Sequence, residues 1–320
     1  MGSGVDKMVK TAFLFPGQGS QTVGMGKEFY DSSPEARKMF EEAGEVLGFD
    51  IAGLCFNGPE EQLKLTENTQ PALLIHSIIA LNMLSGNGIN AVLAAGHSLG
   101  EYSANVAAGS IQFLDAVRLV QLRGRYMQDA VPVGVGSMAA IIGMPLKSVS
   151  DLCDRVSADG HLVQPANLNS LEQIVIAGHL KAVEEVSQLA SEGGAKKSVM
   201  LPVSAPFHCP LMKPAEIKLK KELEKTEFKD HQFPVVCNVE AQAVSEGSLA
   251  RDALVSQVCS PVRWFETMQF LVDQGVEAVI ELGTGKVLSG LMRRFKKDIK
   301  CFQVGDPDSL QKTVEAYKLL

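Results

Sequence analysis

A serine, a histidine and an arginine are the residues of this chain whose settings could do chemistry. Ser98 is the centre of Gly96-His97-Ser98-Leu99-Gly100, after the apolar run Ala91–Ala95 and before the helix-compatible stretch Ser103–Ala108. Strand, tight turn and helix in that order is the context of a nucleophile elbow. Gly96 and Gly100 leave room for a sharp turn where a Cβ would collide with a neighbouring strand or helix. The turn places the Ser98 hydroxyl at a sheet edge and at a helix N-terminus, where free N–H groups and the helix dipole favour negative charge. The oxyanion formed when a carbonyl is attacked is such a charge. The alternative is a serine that only caps the following helix.

A serine hydroxyl needs a base, and the base needs an orienter. Of the six histidines (76, 97, 161, 179, 208 and 231), His208 is the best base candidate. It ends the proline-bounded loop Pro202-Val203-Ser204-Ala205-Pro206-Phe207-His208 at a domain junction, where catalytic residues and clefts concentrate. His76 lies in an apolar helix and reads as core. His161, His179 and His231 read as surface or turn residues, and His97 as a supporting hydrogen-bonder beside the nucleophile. Acids between Ser98 and His208, such as Asp151, Asp154 and Glu172, fall in or before a small inserted domain. A Ser-His pair is therefore expected, its imidazole N–H donating to a neutral carbonyl. Arg123 sits between Leu122 and Met127 on an amphipathic stretch, Phe113–Ala130, and reads as inward-pointing. A buried guanidinium is costly unless paired, and its carboxylate partner could be a substrate. The glycine-rich loop Pro16-Gly17-Gln18-Gly19-Ser20-Gln21 follows the first strand and lacks the Gly-Lys-Ser/Thr of a phosphate loop. It could offer a second oxyanion N–H or be an ordinary turn.

The elements that must position these residues alternate. Short apolar runs at Thr11–Phe15, Ala91–Ala95, Pro234–Cys237, Val276–Leu282 and Lys300–Val304 read as strands. Helical periodicity at 35–47, 70–86, Leu211–Lys225, Leu249–Val258, Phe265–Gln274 and Leu310–Leu319 separates them. That alternation implies a mainly parallel sheet covered on both faces. Between about 133 and 203 the pattern is β-α-β-β-α-β, a ferredoxin-like small domain. The fold expected is α/β: a large domain of residues 8–132 and 204–320, interrupted by a small one at 133–203. Residues 1–7 read as a cloning remnant before a natural start at Met8.

Composition narrows the class. The chain has 320 residues, 46% hydrophobic and 21% charged, with net charge −7, which suits a globular enzyme and argues against nucleic-acid binding. Six cysteines are scattered with no C-x-x-C, as in a reduced cytoplasmic protein without a metal cluster. The longest apolar stretch, Pro71–Leu84, carries His76 and Asn82 and is too short to span a membrane.

Four motifs, taken together, carry a family resemblance over the chain from Met8 onward. They are Phe15-Pro16-Gly17-Gln18-Gly19-Ser20-Gln21, Gly96-His97-Ser98-Leu99-Gly100-Glu101-Tyr102, Arg123-Gly124-Arg125-Tyr126-Met127-Gln128 and Pro206-Phe207-His208. In order and spacing they resemble the malonyl-CoA:acyl carrier protein transacylases of fatty acid synthesis. The resemblance implies an α/β-hydrolase-like large domain with a ferredoxin-like insertion. It implies Ser98 as the malonylated nucleophile, His208 as base and then acid, and Gln257 as its orienter through a backbone carbonyl. Gln18 and Leu99 would supply the oxyanion N–H groups, and Arg123 would clamp the malonyl carboxylate. Asn167 would be a supporting polar residue near the cleft, and Met127 and Phe207 would favour malonyl over bulkier acyl groups. Cys209, where serine is frequent in the family, reads as buried packing, and Thr284 stands where proline is frequent.

The expected reaction is ping-pong transfer with no cofactor and no metal. The expected partners are malonyl-CoA and an acidic acyl carrier protein, met by a basic cluster at Lys213–Lys225 or at Arg293–Lys300, with the enzyme a monomer. The rivals are a serine hydrolase or thioesterase of related fold, a non-catalytic carrier-binding module, and a polyketide-pathway acyltransferase. The lack of flanking domains favours a stand-alone enzyme of fatty acid synthesis.

Overall fold

A computed structural model describes residues 9–158, 160–203 and 205–320. The segment 1–7 lies outside them, as do Met8 and Ser204 at the expected domain boundaries. The chain begins with β1 (Thr11–Phe15), whose five residues are all buried. Alternate residues enter opposite cores: Phe13 and Phe15 pack on one face of the sheet, Ala12 and Leu14 on the other. That is why the strand reads as a continuous apolar run.

Helices α1 (Lys27–Ser32), α2 (Pro34–Leu47), α3 (Ile51–Asn57) and α4 (Glu60–Leu63) lead to the long α5 (Thr66–Ser85). Of these α1, α3 and α4 are not expected from sequence; each is at most seven residues long, too short to show a helical period. Helix α5 is buried on almost all sides, including His76, as the apolar run through its middle requires. The central unit follows: β2 (Leu93–Gly96), α6 (Gly100–Ala107) and α7 (Phe113–Asp129).

Residues 136–200 form a separate antiparallel sheet. Its elements are β3 (Gly136–Ile142), α8 (Leu146–Ser157), β4 (Val163–Ser170), β5 (Gln173–His179), α9 (Leu180–Glu192) and β6 (Lys197–Met200). The β-α-β-β-α-β order is the one read from the sequence, with spatial strand order β4-β5-β3-β6. A core of its own, including Ile141, Val149, Ile174, Ile176 and Val186, lies between its sheet and its two helices.

The chain then returns through a 3-10 turn (Pro210–Met212) to α10 (Lys213–Lys225), β7 (Val235–Val236), β8 (Ala243–Val244), α11 (Gly247–Gln257) and α12 (Trp264–Asp273). It closes with β9 (Ala278–Leu282), α13 (Val287–Phe295), β10 (Lys300–Val304) and α14 (Pro307–Tyr317). The main sheet has the order β10-β9-β1-β2-β7-β8. Every neighbouring pair is parallel except the short β7-β8 hairpin. Strands β1 and β2 are interior neighbours, with Phe15 opposite Gly96 in register. The loops after them, carrying Gln18 and Ser98, therefore leave the sheet side by side at its carboxyl end, where ligands bind in such sheets. Ser98 thus follows an interior strand and not an edge strand of the sheet. Strand β4 is tied near this point to the segment between α11 and α12: Leu168 N donates to Val262 O and Val262 N to Ala166 O, each at 2.9 Å. Among the described residues no helix is long and apolar enough to cross a membrane.

Candidate active site

The elbow is held by contacts that admit no side chain at its two glycines. A Cβ on Gly96 would lie 1.9 Å from the Gly100 carbonyl, and one on Gly100 would lie 2.1 Å from Phe15 O. Ser98 itself has φ 53°, in the left-handed region that non-glycine residues seldom adopt. Strain of this kind persists only where surrounding bonds impose it. Here Asn238 imposes it, accepting from Ser98 N at 2.7 Å and donating to Gly96 O at 2.7 Å.

Ser98 Oγ lies 2.7 Å from His208 Nε2, and His208 Nδ1 lies 2.9 Å from the Gln257 carbonyl oxygen. A carbonyl can only accept, so Nδ1 carries the hydrogen and Nε2 is free to take the serine proton. His208 also has a positive φ, 60°. Gln164, on β4, donates to its carbonyl at 3.2 Å. Burial, the nearby Arg123 cation and His97 push the His208 imidazole down to about 3. It is therefore neutral at ordinary pH.

Arg123 is fully buried on α7. It donates to Gln70 Oε1 at 2.8 Å, to Gln257 Oε1 at 2.8 Å and to Ser98 Oγ at 3.1 Å. These acceptors are all neutral oxygens, two amide carbonyls and a hydroxyl, and its Nε–H finds no acceptor among the described residues. Gly124 makes this seat possible. A Cβ there would lie 2.6 Å from Thr66 O, so α7 and α5 approach backbone to backbone beside Gln70.

A cavity of about 110 Å³ is lined by residues of both sheets, among them Gln18, Ser98, Leu99, Arg123, Asn167 and His208. His97, Met127 and Phe207 line it too. Ten residues were singled out from sequence, and nine of them meet here. The tenth, Gln257, is fully buried behind the His208–Arg123 pair. Neither Gln18 N nor Leu99 N donates to another group among the described residues. His97 reaches away from the hydroxyl to Asn169 on β4, at 2.9 Å. The remaining histidines are structural: His76 bonds Gly305 O, and His231 bridges Val244 O and Asn105. His231 is thus partly buried, a departure from its surface reading. Burial also pushes the Cys209 thiol up to about 12, so it is packing and not a thiolate.

Sequence reasoning missed Gln70 and Asn238, which hold Arg123 and the elbow, and Glu101. The Glu101 side chain is fully buried on α6, and its Oε2 accepts from Gln257 Nε2 at 2.7 Å and from Asn238 N at 3.0 Å. The available signal was an acid three residues after the nucleophile in a stretch otherwise without charge, Gly100–Ala107.

Residues 12–304 match the acyl transferase domain family. The chain belongs to that family. A malonyl CoA-acyl carrier protein transacylase of Bacillus subtilis is 48% identical over 97% of this chain and 98% of its own length. The Escherichia coli K12 protein of the same name is 46% identical over 96% and 100%. Among solved structures, an acyl carrier protein S-malonyltransferase from Vibrio cholerae superposes with TM-score 0.92 at 46% identity, covering 95% of this chain and 99% of that one. A malonyl-transacylase in complex with its type II PKS acyl-carrier protein superposes with TM-score 0.93 at 45% identity, covering 96% and 99%. The fold is thus shared with acyl transferases of this kind.

Proposed function

We propose that this acyl transferase moves the malonyl group from malonyl-CoA to the phosphopantetheine thiol of an acyl carrier protein, through a malonyl ester on Ser98. The observation that carries the reading is a buried guanidinium 3.1 Å from the nucleophile's hydroxyl. An apolar acyl chain has no use for a buried cation; an acyl group tipped with a carboxylate does, and a guanidinium grips it in a bidentate pair. The cavity volume, about 110 Å³, suits a short acyl group. These two features set the reading apart from an ester hydrolase on the same scaffold.

In the first half-reaction Ser98 O–H gives its proton to His208 Nε2 as its oxygen attacks the thioester carbonyl. The Gln18 and Leu99 N–H groups receive the oxyanion; one such donor is worth ~10²–10³ in rate. The C–S bond breaks and the leaving sulfur takes the proton from His208. In the second half-reaction the carrier thiol gives its proton to His208 and its sulfur attacks the serine ester; the C–O bond breaks and Ser98 Oγ takes the proton back from His208. Ester and thioester are close in energy, so the exchange calls for no metal and no cofactor, and a chelator should leave the rate unchanged. The names of the relatives place the reaction in acyl-carrier chemistry, and we assign it to fatty acid synthesis in the cytoplasm. Free thiols at all six cysteines agree with that location.

Substrate and base are coupled in this reading. The Arg123 cation depresses the His208 basicity; a malonyl carboxylate docked on Arg123 cancels that charge and restores it. An acyl group without the carboxylate then meets a weak base as well as an unfilled clamp.

Intact-mass measurement after mixing with malonyl-CoA tests the proposal. A malonyl adduct on the wild type, none on Ser98→Ala, and discharge by added carrier protein are expected. No adduct on the folded wild type would refute it.

A further inference from the structure

The buried carboxylate of Glu101 has no part in the proton transfers above, yet it touches the two residues that arrange them. Its Oε2 takes hydrogen bonds from Gln257 Nε2 and from Asn238 N. Gln257 offers its backbone carbonyl to His208 and its side-chain carbonyl to Arg123, and its Nε2 also donates to Ser98 O. Asn238 holds Ser98 N and Gly96 O. One carboxylate oxygen therefore fixes which way the Gln257 side-chain amide faces and anchors the backbone of Asn238. If Gln257 turned over, its NH₂ would point at Arg123 and the clamp would lose an acceptor.

The charge matters separately from the bonds. Arg123 is a buried cation with no carboxylate among its own hydrogen-bond partners, and the Gln257 side-chain amide joins it to Glu101, accepting from Arg123 through Oε1 and donating to Glu101 Oε2 through Nε2; Tyr102 and Glu101 both favour its charged form. A buried cation without a compensating charge is costly.

From this geometry we infer that Glu101 is a positioning residue and the internal counter-charge of Arg123, occupying electrostatically the place that the substrate carboxylate later takes. The inference rests on the reading of Arg123 as the acyl clamp. It follows that Glu101 opposes malonyl binding as long as it is ionised. The groups that face it are Arg123 from α7, Tyr102 from its own helix and Cys237 after β7. Burial raises its carboxyl to about 7, against the pull of Gln257, Asn238 and Arg123. The counter-charge is therefore present above neutrality and lost below it. His208, held far lower, does not titrate in that window.

Glu101→Gln separates charge from geometry, since the amide oxygen can accept from both donors at the Oε2 position. The binding of malonyl-CoA is measured by calorimetry on Ser98→Ala, which cannot be acylated, and on Ser98→Ala/Glu101→Gln. At pH 8 the double variant should bind on the order of tenfold more tightly, from one less buried anion, and at pH 6 the two should converge. Equal or weaker binding by the double variant at pH 8 overturns the inference, because a residue with a packing role alone would not tighten binding. If neither protein binds malonyl-CoA, the clamp reading fails instead, and a thermal cycle decides the counter-charge. Glu101→Gln should lower the melting temperature by several degrees, and adding Arg123→Met should restore most of the loss. A Glu101→Gln variant that is recovered folded only with Arg123→Met supports the same conclusion; simple additivity of the two losses, or failure of both variants to fold, refutes it.

Discussion

His208 shows how a residue's chemistry is set by its neighbours. Its folded-state imidazole is held near 3, against 6.5 in the unfolded chain. Between those values the unfolded chain binds a proton that the folded one refuses, so stability falls as pH drops from 6.5 toward 3. Arg123 is the second cause of the depression, after burial. In Arg123→Ala the imidazole should titrate higher, and this limb of the acid destabilisation should shrink. Chemical denaturation at pH 7 and at 4.5, with the histidine signal followed by NMR, checks both. The same variant should lose malonyl transfer and gain tolerance of uncharged acyl groups. Malonyl transfer at the wild-type rate would show that Arg123 is not the clamp.

At the scale of elements, the site depends on two backbones meeting. Helices α5 and α7 touch at Gly124, and that contact sets Arg123 against Gln70. Gly124→Ala puts a methyl where the Thr66 carbonyl now stands. Overpacking of this kind costs ~1–3 kcal/mol, and it should move Arg123 away from Ser98 as the helices part. A melting temperature lower by several degrees, with Ser98 acylation slowed further than that loss explains, is the expected pair of results. An unchanged acylation rate would mean that the helix contact does not seat the arginine.

The whole molecule decides where a carrier protein meets it. The lysines of α10 are largely spent on glutamates of the same helix: Lys213 on Glu216, Lys220 on Glu224 and Lys225 on Glu222. Around α13 the exposed Lys286, Arg293, Arg294 and Lys297 have no carboxylate partner among the described residues. The loop leading into α13 also packs on the Gln18 loop, a Cβ at Gly285 falling 3.2 Å from Ser20 Cβ. An acidic carrier should therefore dock at α13. Arg293→Glu/Arg294→Glu should raise the KM for carrier about tenfold at low salt and less at high salt. Acylation by malonyl-CoA should stay the same. Charge reversal at Lys218 and Lys221 of α10 should do less; the opposite order would move the docking face.

Much of this protein was legible in the linear chain because its signals are local. The elbow glycines, the buried β1 run, the β-α-β-β-α-β texture of 136–200 and the proline-bounded loop before His208 are each written within a few residues. Their steric reasons act at that range. The family resemblance carried by the motifs also named nine of the residues that line the cleft. What the sequence could not decide depends on elements brought together from far apart. The interior place of β2 was hidden because strand order is set by long-range pairing. The neutral seat of Arg123 joins Gln70 on α5 to Gln257 on α11, from opposite directions in the chain. The ties of Glu101 cross 137 and 156 residues, to Asn238 and Gln257. No spacing rule spans such gaps. An acid on a helix reads as solvated until tertiary packing buries it, and only burial in low dielectric turns its carboxylate into the counter-charge of a distant guanidinium.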